Sequence, residues 1–116
     1  MKHIVLIEDN EALQQLVAQF LTEAGYRVTS YPALTSVEEL ATLEADLFII
    51  DERLPSVSGH IICILLHADS VTRAVPQLLI SGSPVLSKFS DLAEVNASLR
   101  KPFGLDELLL KIKELI

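Results

Sequence analysis

The sequence predicts an α/β fold, a doubly wound (βα)5 three-layer sandwich built on a five-stranded parallel sheet. Three observations predict it. Short apolar runs alternate along the whole chain with segments of helical periodicity. The first run is continuously apolar rather than alternating, as a strand covered on both faces requires. The connections are short, and alternating βα units with short connections place helices on both faces of a parallel sheet.

The elements follow in order. His3–Ile7 (HIVLI) is the first strand and runs directly into acids. Ala12, Leu13, Leu16, Val17, Phe20 and Leu21 then recur at the spacing of one helix face, and Gly25 supplies a stop. Tyr26–Ser30 (YRVTS), β-branched and aromatic, is the second strand. Ser36 with Glu39 forms a capping-box pattern that opens a short helix to about Leu43. Asp46–Asp51 (DLFIID) is the third strand and again ends in a carboxylate. A turn through Pro55 leads to a helix over Gly59–Ala68, and Pro76–Ser81 (PQLLIS) is the fourth strand. Gly82, Pro84 and several serines weaken the helical signal across Gly82–Asn96. Ala97–Arg100 is a short fifth strand before Lys101-Pro102. The last helix aligns Leu105, Leu108, Leu109, Ile112 and Ile116, with acids in its first turn and lysines late, as the helix dipole favours.

Bulk properties bound the function. The 116 residues suit one domain spanning 1–116, and half of them are apolar, enough to fill one well-packed interior. Sixteen acids against nine basic residues give a net charge of −7, which repels nucleic-acid phosphates and argues against direct DNA binding. No apolar run approaches the roughly 20 residues of a membrane span, and the N-terminal run meets acids too early for a secretory signal. Cys63 is the single cysteine and sits in the apolar HIICILL, so it reads as a small buried hydrophobe in a reducing, cytoplasmic setting. His3, His60 and His67 lack zinc-ligand spacing with it.

Sites in such sheets form at the carboxyl ends of the strands. Here strand one ends in Glu8-Asp9, strand three in Asp51, strand four in Ser81 and strand five in Lys101. Singly, each has an ordinary role: an Asp caps a helix, a Ser closes a turn, a Lys is solvated. Together they make a coherent chemistry. Three carboxylates in one place repel one another and invite a hard cation, and Mg²⁺ takes oxygen ligands at about 2.1 Å. A carboxylate beside that ion can attack phosphorus because the ion neutralises the incoming charge. Lys101 would hold a phosphoryl oxygen as a point charge and the Ser81 hydroxyl would donate to another.

Four blocks in order carry a resemblance over essentially the full length: Glu8-Asp9; Asp51-Glu52-Arg53-Leu54-Pro55 with Gly59; Ser81-Gly82; and Lys101-Pro102-Phe103. The chain resembles a response-regulator receiver domain of two-component signalling, a flavodoxin-like fold whose sheet order is 2-1-3-4-5. The resemblance implies that Asp51 is the phosphoacceptor, charged by a phosphohistidine on a sensor histidine kinase or histidine phosphotransfer protein. It implies that Glu8, Asp9, Asp51 and the backbone carbonyl of Arg53 hold Mg²⁺. Ser81 matches the hydroxyl residue that turns toward the phosphoryl group, Lys101 matches the family lysine, and the Lys101-Pro102 bond matches one that is usually cis. The domain so implied is a signalling module and not an enzyme with independent turnover. Its output belongs to a separate effector or to an effector domain of a longer chain. Exposed residues on the helix faces around Leu13–Leu21 and Leu105–Ile116 can serve a homodimer or a kinase.

The chain departs from the family pattern in two places. The fifth-strand position three before the lysine, usually Tyr or Phe, is Ser98. The stretch between Ser81 and Lys101 is slightly short, and Glu94-Val95 stands where Gly-Ala is usual, so the fourth helix is expected to be shortened, displaced or mobile. Phe89 is either an alternative aromatic lever or a plain core contact, and Arg53 and Ser83 should flank the mouth of the site. These departures motivate a competing reading, a receiver-like interaction module that works without phosphorylation. A small phosphohydrolase fits less well, because no acid stands two residues after Asp51 to act as general acid.

Overall fold

Continuous apolar runs become the centre of the sheet because each of their side chains finds a covered face. In the computed structural model, which describes all residues from Met1 to Ile116, β1 (His3–Ile7), β3 (Leu47–Asp51) and β4 (Gln77–Ser81) are buried along their whole length. β2 (Arg27–Tyr31) and β5 (Ala97–Arg100) are the half-exposed edges. All pairings are parallel and the order is β2-β1-β3-β4-β5. The doubly wound order predicted from the resemblance is therefore the one observed.

Side-chain alternation along the strands divides the interior into two layers. Ile4, Leu6, Ile49 and Leu78 pack with α1 (Glu11–Glu23) and α5 (Leu105–Leu115) through Val17, Leu21, Leu108 and Ile112. Val5, Ile7, Phe48, Ile50 and Leu79 face α2 (Val37–Ala41), α3 (Gly59–Ala68) and α4 (Leu86–Ala93) through Leu40, Ile62, Leu66 and Leu86. Each such side chain contributes about 1.5–3 kcal/mol on burial, so the three central strands are the best-anchored backbone, and the candidate site residues Glu8, Asp9, Asp51 and Ser81 lie at their ends.

Element boundaries move by a residue or two from the sequence prediction, each for a local reason. β2 starts at Arg27 rather than Tyr26, because the Tyr26 N–H closes α1 on the Leu21 carbonyl and Arg27 is the first to bond the neighbouring chain, at Lys2. β3 starts at Leu47, and just before it Asp46 grips the start of β1, its N–H on the His3 carbonyl and its carboxylate accepting the His3 N–H, each at 2.7 Å. β4 begins after Pro76, which has no N–H for the ladder. The Ser36 cap forms as predicted, accepting the Glu39 N–H at 3.1 Å, but α2 ends at Ala41. Gly25 stops α1 with a φ of 101°, a conformation glycine adopts without strain. The fourth helix is short, eight residues, as the sequence predicts. No helix is long and apolar enough to cross a membrane.

Candidate functional site

The strand ends converge. Asp51 closes β3, and its side chain is buried with Oδ1 2.8 Å from the Lys101 Nζ and Oδ2 accepting the Arg53 N–H at 3.1 Å. Glu8 follows β1 and is equally buried. It accepts from Lys101 Nζ at 3.2 Å and from the Asn10 N–H at 3.1 Å. One lysine thus spans two buried acids. Asp9 is exposed beside them, and carboxylate oxygens of Glu8, Asp9 and Asp51 lie within 4.8 Å of one another.

Backbone geometry fixes these positions. Lys101 is placed by its own N–H, which bonds the Ser81 carbonyl at 3.0 Å and ties the end of β5 to the end of β4. The Lys101–Pro102 peptide is cis, as the resemblance implies. Gly59 opens α3 against the Asp51–Glu52 peptide, with its N–H on the Glu52 carbonyl at 2.9 Å. A Cβ there would sit 2.8 Å from the Asp51 carbonyl carbon, so only glycine lets α3 start this close to the site.

The electrostatics follow from burial and charge. Burial pushes the Glu8 carboxyl above its ordinary pKa, and the nearby Asp51 charge adds to the rise against the opposing pull of the Asn10 N–H and Lys101. Burial likewise raises Asp51, assisted by the Asp9 charge and opposed by Lys101 and the Arg53 N–H. Burial disfavours the Lys101 ammonium, yet its hydrogen bond to Asp51 and the charges of Asp51 and Glu8 prevail and hold its pKa above the ordinary value. The two acids are underneutralised by one lysine. Such a site gains from a further cation.

A recess of about 400 Å³ opens over Asp51, lined by Arg53, Ser81, Gly82, Ser83, Pro84 and Lys101, with no large hydrophobic side chain among them. The Ser81 side chain is buried, and its Oγ accepts the Ser83 N–H at 2.9 Å. Arg53 and Ser83 thus flank the mouth, as the sequence suggests. Arg53, however, makes no ion pair with the neighbouring acids. The donor set of hard oxygens fits Mg²⁺.

Sequence reasoning passed over one constellation. His60, considered there only as a zinc ligand, bonds the buried Glu52 and stacks on Phe89. The one local signal was an acid directly following a fully apolar strand, which needs a partner if buried.

Comparison with known proteins decides the family. The model of the response regulator receiver domain matches residues 4–113. The chain belongs to that family. Among relatives of this receiver domain, the DNA-binding dual master transcriptional regulator RpaA of Synechocystis is 30% identical, over 100% of this chain and 49% of that protein. The probable transcriptional regulatory protein SilR of Salmonella typhimurium is 32% identical, over 97% of this chain and 50% of that protein. The receiver thus spans about half the length of these regulators. Of solved structures, chemotaxis protein CheY4 of Vibrio cholerae superposes with a TM-score of 0.91 at 21% identity, covering 100% of this chain and 99% of that one, a likeness of fold. The receiver domain of a Pseudomonas aeruginosa sensor histidine kinase, solved with a magnesium ion coordinated in its active-site cleft, gives 0.88 at 27% identity, covering 98% and 96%.

Proposed function

We propose that this receiver, as a single domain over residues 1–116, accepts a phosphoryl group on Asp51 from a phosphohistidine donor and thereby switches a protein-interaction surface. The observation that carries the reading is the Lys101 ammonium bridging Asp51 and Glu8 beside Asp9, under a polar recess. In the transfer, an Asp51 carboxylate oxygen attacks phosphorus, the O–P bond forms as the P–N bond breaks, and the donor leaves as neutral imidazole, keeping the proton already on its other ring nitrogen. Catalysis here is positioning and charge neutralisation. Glu8, Asp9, Asp51 and the Arg53 carbonyl would hold Mg²⁺, which neutralises phosphoryl charge. Lys101 binds a phosphoryl oxygen, at the cost of loosening its pairing with Asp51. The Ser81 hydroxyl, free to donate because it now only accepts, turns to another oxygen.

The donor is a sensor histidine kinase or a phosphotransfer protein, and the setting is cytoplasmic. The output is an effector, separate or in the same longer chain, since curated relatives have about twice this length. Ser98, in place of a β5 aromatic, favours one competing reading, a module that works without phosphorylation. Incubation with Mg²⁺ and acetyl phosphate separates them. A mass gain of one phosphoryl group, lost in Asp51→Ala, is the expected result. An unchanged mass in the wild-type chain would sink the proposal.

A further inference from the structure

Glu52 follows β3 directly after Asp51 and is 8% exposed. A carboxylate at that depth needs partners, and one residue supplies both. The His60 N–H donates to Oε1 at 2.8 Å, and its Nδ1 lies 2.7 Å from Oε2, a donor arrangement because an ionised carboxylate only accepts. The imidazole then stacks on the Phe89 ring, centroids 4.7 Å apart and planes 13° from parallel. A continuous contact therefore runs from the peptide after Asp51, through the first turn of α3, to the middle of α4.

Phe89 also borders open space. With Glu52, Arg53, Ser81 and Ser83 it lines a recess of about 270 Å³, and Arg53, Ser81 and Ser83 line the recess over Asp51 as well. The ring thus has His60 as a stacking partner and a void shared with the site's own hydroxyl residue. α4 is otherwise lightly held: Leu86 and Ala93 are its buried residues, while Leu92 is 59% exposed. β5 supplies no aromatic that could link site and surface by another route, since its residues are Ala97, Ser98, Leu99 and Arg100.

We propose that the Glu52–His60–Phe89 stack is the latch that holds α4 in place until occupancy of the Asp51 site releases it. It rests on the reading of Asp51 as phosphoacceptor. When the Ser81 hydroxyl turns toward a group on Asp51 it gives up the Ser83 N–H. The 83–85 segment leading into α4 then loosens, and the Phe89 ring moves into the shared void. Leaving the imidazole, it carries α4 with it. Packed aromatic contacts have discrete arrangements, so a small rotation at Ser81 is converted into a shift of a helix.

The test uses the full chain with Mg²⁺ and beryllofluoride as the phosphoryl mimic, in wild type, His60→Ala and Phe89→Leu. Phe89→Leu keeps apolar bulk, and carries the test by itself if His60→Ala, which strips Glu52 of its partner, does not fold. Fluorine NMR reads occupancy of the site, and amide chemical shifts of Leu86–Ala93 read α4. The expected result is a bound fluorine signal in wild type and the folded variants, with α4 shifts present in wild type and lost in the variants. Equal α4 shifts in wild type and Phe89→Leu, or an unmoved α4 in occupied wild type, overturn the latch. A wild type with no bound fluorine signal overturns the phosphoacceptor reading instead.

Discussion

Single ionisable residues in this chain take their state from what surrounds them, and three cases differ in cause. Cys63 is fully buried, and that burial, reinforced by the Glu52 charge, pushes its thiol up to about 12, so it behaves as an inert hydrophobe. Lys101 is held as a cation by two acids, which keeps a positive charge ready at the recess. Asp69 stands just past α3 and illustrates the opposite shift. Its Oδ2 accepts the Val71 N–H at 2.9 Å and the Thr72 N–H at 3.0 Å, organising the short turn at Thr72–Ala74. Those bonds, Thr72 first, hold its carboxyl below the ordinary aspartate range. An acid bound more tightly in its ionised form stabilises the fold above the unfolded value, and that contribution is lost as pH falls through the folded value. Asp69→Asn keeps an acceptor oxygen but cannot take up this proton. The wild type should therefore exceed Asp69→Asn in urea midpoint near neutral pH, and the gap should close as acidification carries pH through the lowered carboxyl pKa. A gap that stays constant with pH would show that the turn does not depend on the charge.

At the scale of elements, α4 carries backbone strain at its C-terminal cap. It ends in a Schellman arrangement, the Val95 N–H bonding the Ser90 carbonyl at 3.2 Å and the Glu94 N–H bonding Asp91 at 3.3 Å. That geometry forces Glu94 to a φ of 53°, the left-handed region where glycine is usual. An L-residue pays roughly 1–2 kcal/mol there, and an acid also meets the negative end of the helix dipole. Glycine costs some of this back through the entropy of the unfolded chain. Glu94→Gly should therefore raise stability by about 1 kcal/mol in urea unfolding, and no gain would mean that the cap is unstrained. The strands were legible in the sequence because Leu47–Ile50 and Leu78–Ile80 are buried on both faces and read as unbroken apolar runs. Their exact starts were not, because Tyr26 gives its N–H to the end of α1, Pro76 has none to give, and at Asp46 a side chain takes the place of a backbone acceptor. The strand-end positions Glu8, Asp9, Asp51, Ser81 and Lys101 were legible because topology alone gathers strand ends. The Glu52–His60–Phe89 stack was not, since pairing α3 with α4 across 29 residues of sequence leaves no periodic trace.

For the molecule as a whole, an interior of well-buried strands supports a pocket that the chain's own charge makes costly. Sixteen acids against nine bases give a net −7, and three of those acids share one pocket with a single lysine. Both buried acids have raised pKa values, so their ionised forms are less comfortable folded than unfolded. A divalent cation bound between them relieves that cost only in the folded chain, where the carboxylates are together. Mass action then stabilises the fold by RT ln(1 + [L]/Kd), about 1.4 kcal/mol for each tenfold rise in Mg²⁺ above Kd. Simple screening acts differently. At 0.1 M ionic strength the screening length is about 10 Å, and it weakens repulsion among all the surface acids without preferring this pocket. Unfolding in urea across a MgCl2 series, set against NaCl at equal ionic strength, separates the two. Stability should climb steadily with MgCl2 and change little with NaCl. Asp9→Asn is the discriminating variant, because Asp9 is exposed and forms no ion pair, so its loss leaves the packing alone while removing one donor. Its MgCl2 curve should flatten toward the NaCl curve. Superimposable MgCl2 and NaCl curves in the wild-type chain would mean that the three carboxylates hold no cation.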